Sequence, residues 1–355
     1  MDVTAAVALS ERASDIEVRR DLPAADWDRF VERRPDATIY HRAAWADVIR
    51  RSFGHETQYL AAVCGEDVVG ILPLVFFKTP LFGRFVTSMP FVNYGGIVAD
   101  STAAADQLLQ SATASARSSG AAYLELRHTS RLFPHLAVKT HKVEMVLRLR
   151  ATVDEQWQAL DRKLRNQVRK AEKSGLEVRT GGVELLDAFY DVLARNMRDL
   201  GSPVHSRRFY EHILTTFPGQ SSLFCVSKGT TPVAASLVLW HGSAIEVPWA
   251  SAIRAYNPLC PNVLLYWAML KFAVEHRFAR FDFGRSTPHE GTFQFKQQWG
   301  AEPEPLYWEY WLSDGYRLPD RSPKNPKFSA AIAAWRCLPV AVTRLVGPHI
   351  VRSIP

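Results

Sequence analysis

Residues 221–240 read SSLFCVSKGTTPVAASLVLW, two apolar runs joined at Lys228-Gly229-Thr230. The pattern predicts a β-hairpin. A second hairpin is predicted at 58–77, QYLAAVCGEDVVGILPLVFF, around a tight Gly-Glu-Asp turn. Each hairpin follows a short strand (IEVRRD at 16–21, LEVRT at 176–180) and two helical stretches. Each is followed by a strand, a long helix and further strands: STAAADQLLQSATASARSSG and AYLELRH first, NVLLYWAMLKFAVEHRF and ARFDFG second. The order of elements therefore occurs twice, which predicts an α/β (α+β) protein of two similar domains with mixed central sheets. The boundaries expected are 16–150 and 151–316, followed by a basic, apolar tail at 317–355.

The chain has 355 residues, 47% of them apolar, enough for two cores. Its formal charge of +7 favours anionic partners. Cys64, Cys225, Cys260 and Cys337 are far apart, and no His pair has metal-ligand spacing, so neither a metal nor a redox pair is expected. The N-terminal MDVTAAVALSERASD lacks a basic n-region, and no apolar run reaches the ~18 residues of a membrane span. A cytoplasmic protein is expected. Residues 152–175 carry an apolar stripe (Trp157, Leu160, Leu164, Val168, Ala171) and a basic one (Arg162, Arg165, Arg169, Lys173), read as one amphipathic helix.

The densest chemistry lies in FDFGRSTPHEGTFQFKQQWG, 281–300. The letters D-F-G alone would suggest a kinase, but no Gly-rich phosphate loop or H-R-D precedes them. The segment reads instead as a strand, a turn and a short helix. Asp282 alternates with Phe281 and Phe283 and so faces away from both. Arg285 offers a bidentate fork and Lys296 a point charge, both suited to phosphate or an oxyanion.

NYGGI at 93–97, ASA at 250–252, Asn262, Trp267, FDFG at 281–284 and FKQQWG at 295–300 occur together in the order and spacing of the FemAB family, and the chain resembles that family over roughly 20–312. NMRDLGSPVHS at 196–206 and the whole of 283–300 are most similar to the FemAB-like branch associated with exosortase (PEP-CTERM) and exopolysaccharide loci. The resemblance implies two tandem GNAT-like domains that transfer an amino acid from aminoacyl-tRNA to an amine of a peptidoglycan precursor. It also implies that Lys296 meets the acceptor. The chain lacks the long coiled-coil arm through which some members are thought to meet tRNA.

A GNAT enzyme holds the pyrophosphate of acyl-CoA on backbone N–H groups at the start of its central helix. Here that turn would be IRAYNPLCPN, 253–262, where Pro258 and Pro261 have no N–H. A donor other than acyl-CoA, and no bound cofactor, are therefore expected. Amide formation needs a base and an oxyanion stabiliser. Candidate bases are Asp282, Glu290, His205 and Glu246. The expected catalytic residues are Asp282, Lys296 and Arg285. Substrate is expected at Asn93, Tyr94, Gly95, Gly96, His205, Arg285, His289, Lys296 and Trp299. The function expected is acyl or aminoacyl transfer from an activated donor to an amine on a phosphate-bearing envelope precursor. The rivals are an acyl-CoA-dependent N-acyltransferase acting on an amino sugar, and a non-catalytic binder of glycan or RNA. For the tail, residues 320–355, with cations among apolar residues, a peripheral contact with the inner membrane is expected beside the alternative of a helix packed on the second domain.

Overall fold

The computed structural model describes residues 15–80, 82–319 and 329–355. The N-terminal stretch up to residue 14 and residues 320–328 of the tail lie outside the described residues. The chain divides into two compact units, 1–140 with 305–319, and 141–304 with 320–354.

The first unit begins with β1 (Ile16–Arg19), α1 (Ala24–Arg33) and α2 (Trp45–Phe53). The predicted hairpin is β2 (Glu56–Cys64) and β3 (Asp67–Thr79), paired antiparallel. Next come β4 (Gly83–Ser88), β5 (Val98–Ala99), α3 (Thr102–Ser118), β6 (Tyr123–His128) and β7 (Ala137–Lys139). The second unit holds β8 (Val143–Arg148), α4 (Val153–Ala159), α5 (Arg162–Lys173), β9 (Leu176–Gly181), α6 (Leu186–Leu200) and α7 (Arg207–Thr216). It continues with β10 (Ser221–Lys228), β11 (Thr231–His241), β12 (Ala244–Ala252), α8 (Pro261–Glu275), β13 (Arg280–Ser286), α9 (Gly291–Gln297) and β14 (Glu302–Pro305). The chain then contributes β15 (Tyr307–Leu312) to the first unit, and α10 (Ser329–Cys337) and α11 (Val340–Val351) to the second.

The first sheet runs β1-β2-β3-β4-β6-β15-β7, with β5 added to β3. Leu60, Ala62, Leu72 and Leu74 pack with Leu108 and Ala112 of α3 on one face. Ala61 and Ile71, at positions of the opposite parity, pack with Trp27, Phe30 and Val31 of α1 on the other. Both faces are covered, which is why the hairpin reads as unbroken apolar runs rather than as an alternation. The second sheet runs β14-β8-β13-β12-β11-β10-β9. Leu164 and Val168 of α5 and Leu265 and Met269 of α8 bury one face, while α6 packs on β11 and β12.

Three expectations are corrected. The strand 143–148, expected to close the first domain, pairs with β13 in the second sheet. The strand 307–312, expected in the second domain, lies between β6 and β7 in the first. The boundaries at 150/151 and 316/317 are therefore not those of the compact units. The single helix expected over 152–175 is two. Asp161 caps α5 by accepting from the Leu164 N–H at 2.7 Å, which starts a new helix after Leu160 turns extended. The apolar stripe is buried as expected at Leu160, Leu164, Val168 and Ala171.

Candidate functional site

In the second unit, β12 and β13 are paired in parallel only from Ala244↔Arg280 to Glu246↔Asp282. Beyond that, β12 stays with β11 and β13 stays with β8, so the two strands part. At the parting, β13 carries an irregularity between Asp282 and Arg285, where Gly284 has φ +77°. The Asp282 carboxylate accepts from the Gly284 N–H at 2.7 Å and stabilises this bend. Phe281 and Phe283 bury in the core on the other face, as the alternation predicts.

Lys296 of α9 fills the bend. Its Nζ donates to the carbonyls of Gly284 at 2.9 Å and Arg285 at 3.0 Å. Phe293, Lys296 and Trp299, three residues apart, are all buried and face the sheet. Lys296 is thus a buried lysine, and its removal touches stability as well as the site. Burial pushes its pKa down to about 8. The negative charges of Asp282 and Glu246 oppose that shift, and Arg285 adds to it. Glu246 is the cross-strand neighbour of Asp282, and both are buried. Two such carboxylates side by side are unfavourable without a cation, and Lys296 supplies one in their field. Arg285 is half-buried and sits opposite Glu144, whose buried carboxylate pairs with Arg280 at 3.2 Å.

The structure brings Asp282, Arg285, Lys296 and Glu246 together. His289 is exposed at the turn before α9, with φ +66° and its ring 5.9 Å from that of Phe293. Glu290 follows it as the residue capping α9. Trp299 does not present a stacking face. It is buried against Tyr266 (6.1 Å), Phe295 (6.2 Å) and Phe283 (6.5 Å). His205, expected as a base, has its ring among Phe209 and Tyr210, with centroids at 5.1 and 6.4 Å. Loss of solvation pushes its pKa down to about 3, so it is neutral and a weak base near pH 7.

Asn93, Tyr94, Gly95 and Gly96 belong to the first unit. There Tyr94, Gly95 and Gly96, but not Asn93, edge a cavity of about 310 Å³, also lined by Thr38, His41, Arg127, His128 and the start of α3 at Ser101 and Thr102. The loop is held closely. Gly96 donates its N–H to the Arg127 carbonyl at 3.0 Å, and its own carbonyl accepts from His41 Nε2 at 3.1 Å. The Thr38 N–H donates to His41 Nδ1 at 3.0 Å, which places the proton on Nε2. A Cβ on Gly96 would lie 2.1 Å from the His128 ring, and one on Gly95 2.4 Å from Met89 Cβ. Gly96→Ala is expected to cost about 1–3 kcal/mol, read as a lowered urea midpoint, because the His128 ring has no room to retreat.

The sequence reading missed the buried charges behind this loop. Arg127 donates from Nε to Glu125 at 2.8 Å and from a terminal nitrogen to the Val92 carbonyl at 2.7 Å, and its guanidinium lies 4.5 Å over the Trp308 ring. Tyr310 donates to the other oxygen of Glu125 at 2.9 Å. His128 Nδ1 donates to Glu309 at 2.7 Å, and the Leu132 and Phe133 N–H groups donate to the same carboxylate at 3.1 and 2.8 Å. The signal available was three polar residues, Glu125, Arg127 and His128, set close together in the predicted strand AYLELRH.

Residues 158–297 match the model of the acetyltransferase (GNAT) domain family. A search of curated proteins finds no match to the chain. Among solved structures, FemX is 18% identical, with 84% of this chain and 98% of that one covered at a TM-score of 0.67. The C-terminal domain of a putative lysylphosphatidylglycerol synthetase from Agrobacterium fabrum is 12% identical, with 92% and 96% covered at 0.56. L-PGS from Bacillus licheniformis is 11% identical, with 86% and 97% covered at 0.53. Among the described residues no group of His, Cys, Asp and Glu has the geometry of a metal site, and no helix is long and apolar enough to cross a membrane. With two mixed sheets in one chain, each holding one parallel strand pair (β4 with β6, β12 with β13), and a matched GNAT domain in the second half, the protein has the fold of the tandem GNAT acyltransferases.

Proposed function

We propose that the protein forms an amide by transferring an aminoacyl or acyl group from an activated ester to an amine on a phosphate-bearing precursor of the cell envelope. The observation that carries the reading is the buried Lys296–Asp282–Glu246 group at the parting of β12 and β13, within a GNAT sheet. In that chemistry the amine nitrogen attacks the carbonyl carbon and the C–N bond forms. The ester C–O bond breaks, and the departing oxygen leaves with a proton. Asp282 accepts the proton that the amine loses. Lys296 and Arg285 stabilise negative charge on the tetrahedral oxygen or hold the acceptor's phosphate. The names of FemX and of the lysylphosphatidylglycerol synthetase support an aminoacyl donor and an envelope acceptor. The 283–300 motif supports the exopolysaccharide-associated branch.

The start of α8 favours a donor other than acyl-CoA. Pro261 has no N–H, the N–H groups of Val263 and Leu264 both donate to the Cys260 carbonyl at 3.1 and 3.2 Å, and that of Cys260 donates to Asn257 at 3.0 Å. A pyrophosphate finds few open donors there. The test is single-turnover transfer from labelled aminoacyl-tRNA and from labelled acetyl-CoA to lipid-linked precursors, with calorimetry of CoA alongside. Transfer from aminoacyl-tRNA and no CoA heat is the expected result. Micromolar CoA binding, about −8 kcal/mol, with acetyl transfer would establish the CoA-dependent reading instead.

A further inference from the structure

α11 is apolar around most of its circumference, so packing on one neighbour cannot cover it. One side rests on the second unit. Thr343, Gly347 and Val351 are buried, and the helix sits so close to the backbone at Val204 that a Cβ on Gly347 would be 3.0 Å from the Val204 carbonyl oxygen. Arg344 fixes the helix against α6 through Asp191, with its guanidinium 5.5 Å from the centre of the Tyr190 ring. Leu345 is 73% exposed, and Val342, Val346 and Ile350 are each 39% exposed. Their spacing of three and four residues puts them on one stripe. The alternative reading of the tail, a helix packed on the second unit, is therefore present, and it leaves this stripe open.

The charge around the stripe selects what covers it. From Arg321 to Pro355 there are six Lys and Arg residues and no Asp or Glu. Arg336 and Arg352 are exposed, at the end of α10 and just after α11. A second copy of the chain docked by the same face would bring cations against cations. An anionic lipid surface meets both features at once, since apolar side chains enter the acyl boundary while arginines stay among the headgroups. At 12 residues α11 is too short to span, so it would lie in the interface plane.

We propose that the open stripe of α11, flanked by Arg336 and Arg352, docks the protein on anionic bilayers. The test is flotation of the full chain with vesicles of phosphatidylcholine alone and with roughly one-third phosphatidylglycerol. The wild type is expected to float with the mixed vesicles and to stay behind with the neutral ones. Leu345→Glu lies on an open surface and should leave circular dichroism unchanged while lowering the bound fraction at least tenfold. Neutralising both arginines as glutamine should weaken partitioning roughly fivefold per charge. Equal flotation of wild type and Leu345→Glu would overturn the proposal. So would no binding to phosphatidylglycerol, or a dimer in solution that Leu345→Glu dissolves.

Discussion

Lys296→Met is expected to lower kcat/KM by about 10- to 100-fold and to lower stability by about 1–3 kcal/mol at pH 7. The first effect follows from losing one charge-assisted hydrogen bond in the transition state. The second follows from leaving the Gly284 and Arg285 carbonyls without their donor, and Asp282 and Glu246 without the cation in their field. Transfer assays and urea titration read the two separately. The pH dependence gives an independent check. The pKa of Lys296 is about 8 in the fold against 10.5 free, so between those values the unfolded chain holds a proton that the folded one has released. Stability of the wild type relative to Lys296→Met should therefore rise from pH 7 to 10, by up to about 3 kcal/mol. A rate that uses the cationic lysine should fall above a pH of about 8, and that limb should vanish in Lys296→Met. Full transfer activity in Lys296→Met would leave this lysine as scaffold only.

Glu309→Ala should be the more damaging change to the fold, at about 3–5 kcal/mol. It strips the partner from His128 Nδ1 and from the Leu132 and Phe133 N–H groups, all in the interior of the first unit. Burial by itself would raise the Glu309 pKa. The hydrogen bond and charge of His128, with the two backbone amides, outweigh burial and hold it below the usual carboxylate range. A carboxylate depressed in this way stabilises the fold above its free value. The gain is lost as pH falls through the lower folded value. Wild type and Glu309→Ala should therefore converge in stability in acid. A constant difference from pH 7 downward would show that shape, not charge, explains the loss.

Much of this fold was legible because it is local. Both hairpins, the central helices and the alternation that turns Asp282 away from Phe281 and Phe283 depend on near neighbours in the chain. The same spacing rule also held the answer for Lys296. Phe293, Lys296 and Trp299 share a helical face, and two large aromatics on that face imply that the lysine between them is buried. Strand partners were not legible. Nothing near Glu309 in YWEYW announces His128, 181 residues earlier. The same distance hid the exchange of β8 and β15 between the units, since either strand would satisfy the order of elements in its sequence neighbour. The break at Asp161 was missed because an acidic residue amid a helical stripe reads as surface until its side chain is seen to cap.

The position of β15 sets a timetable for synthesis. It is an interior strand of the first sheet, between β6 and β7, yet every strand of the second sheet is made before it. As the chain leaves the ribosome, the N-terminal sheet must wait, with β6 lacking a neighbour and His128 lacking its carboxylate, until residues 307–312 emerge. The usual vectorial order, first half folded before the second is made, does not hold for this chain. A fragment ending at residue 150 lacks an interior strand, however neatly it seems to end.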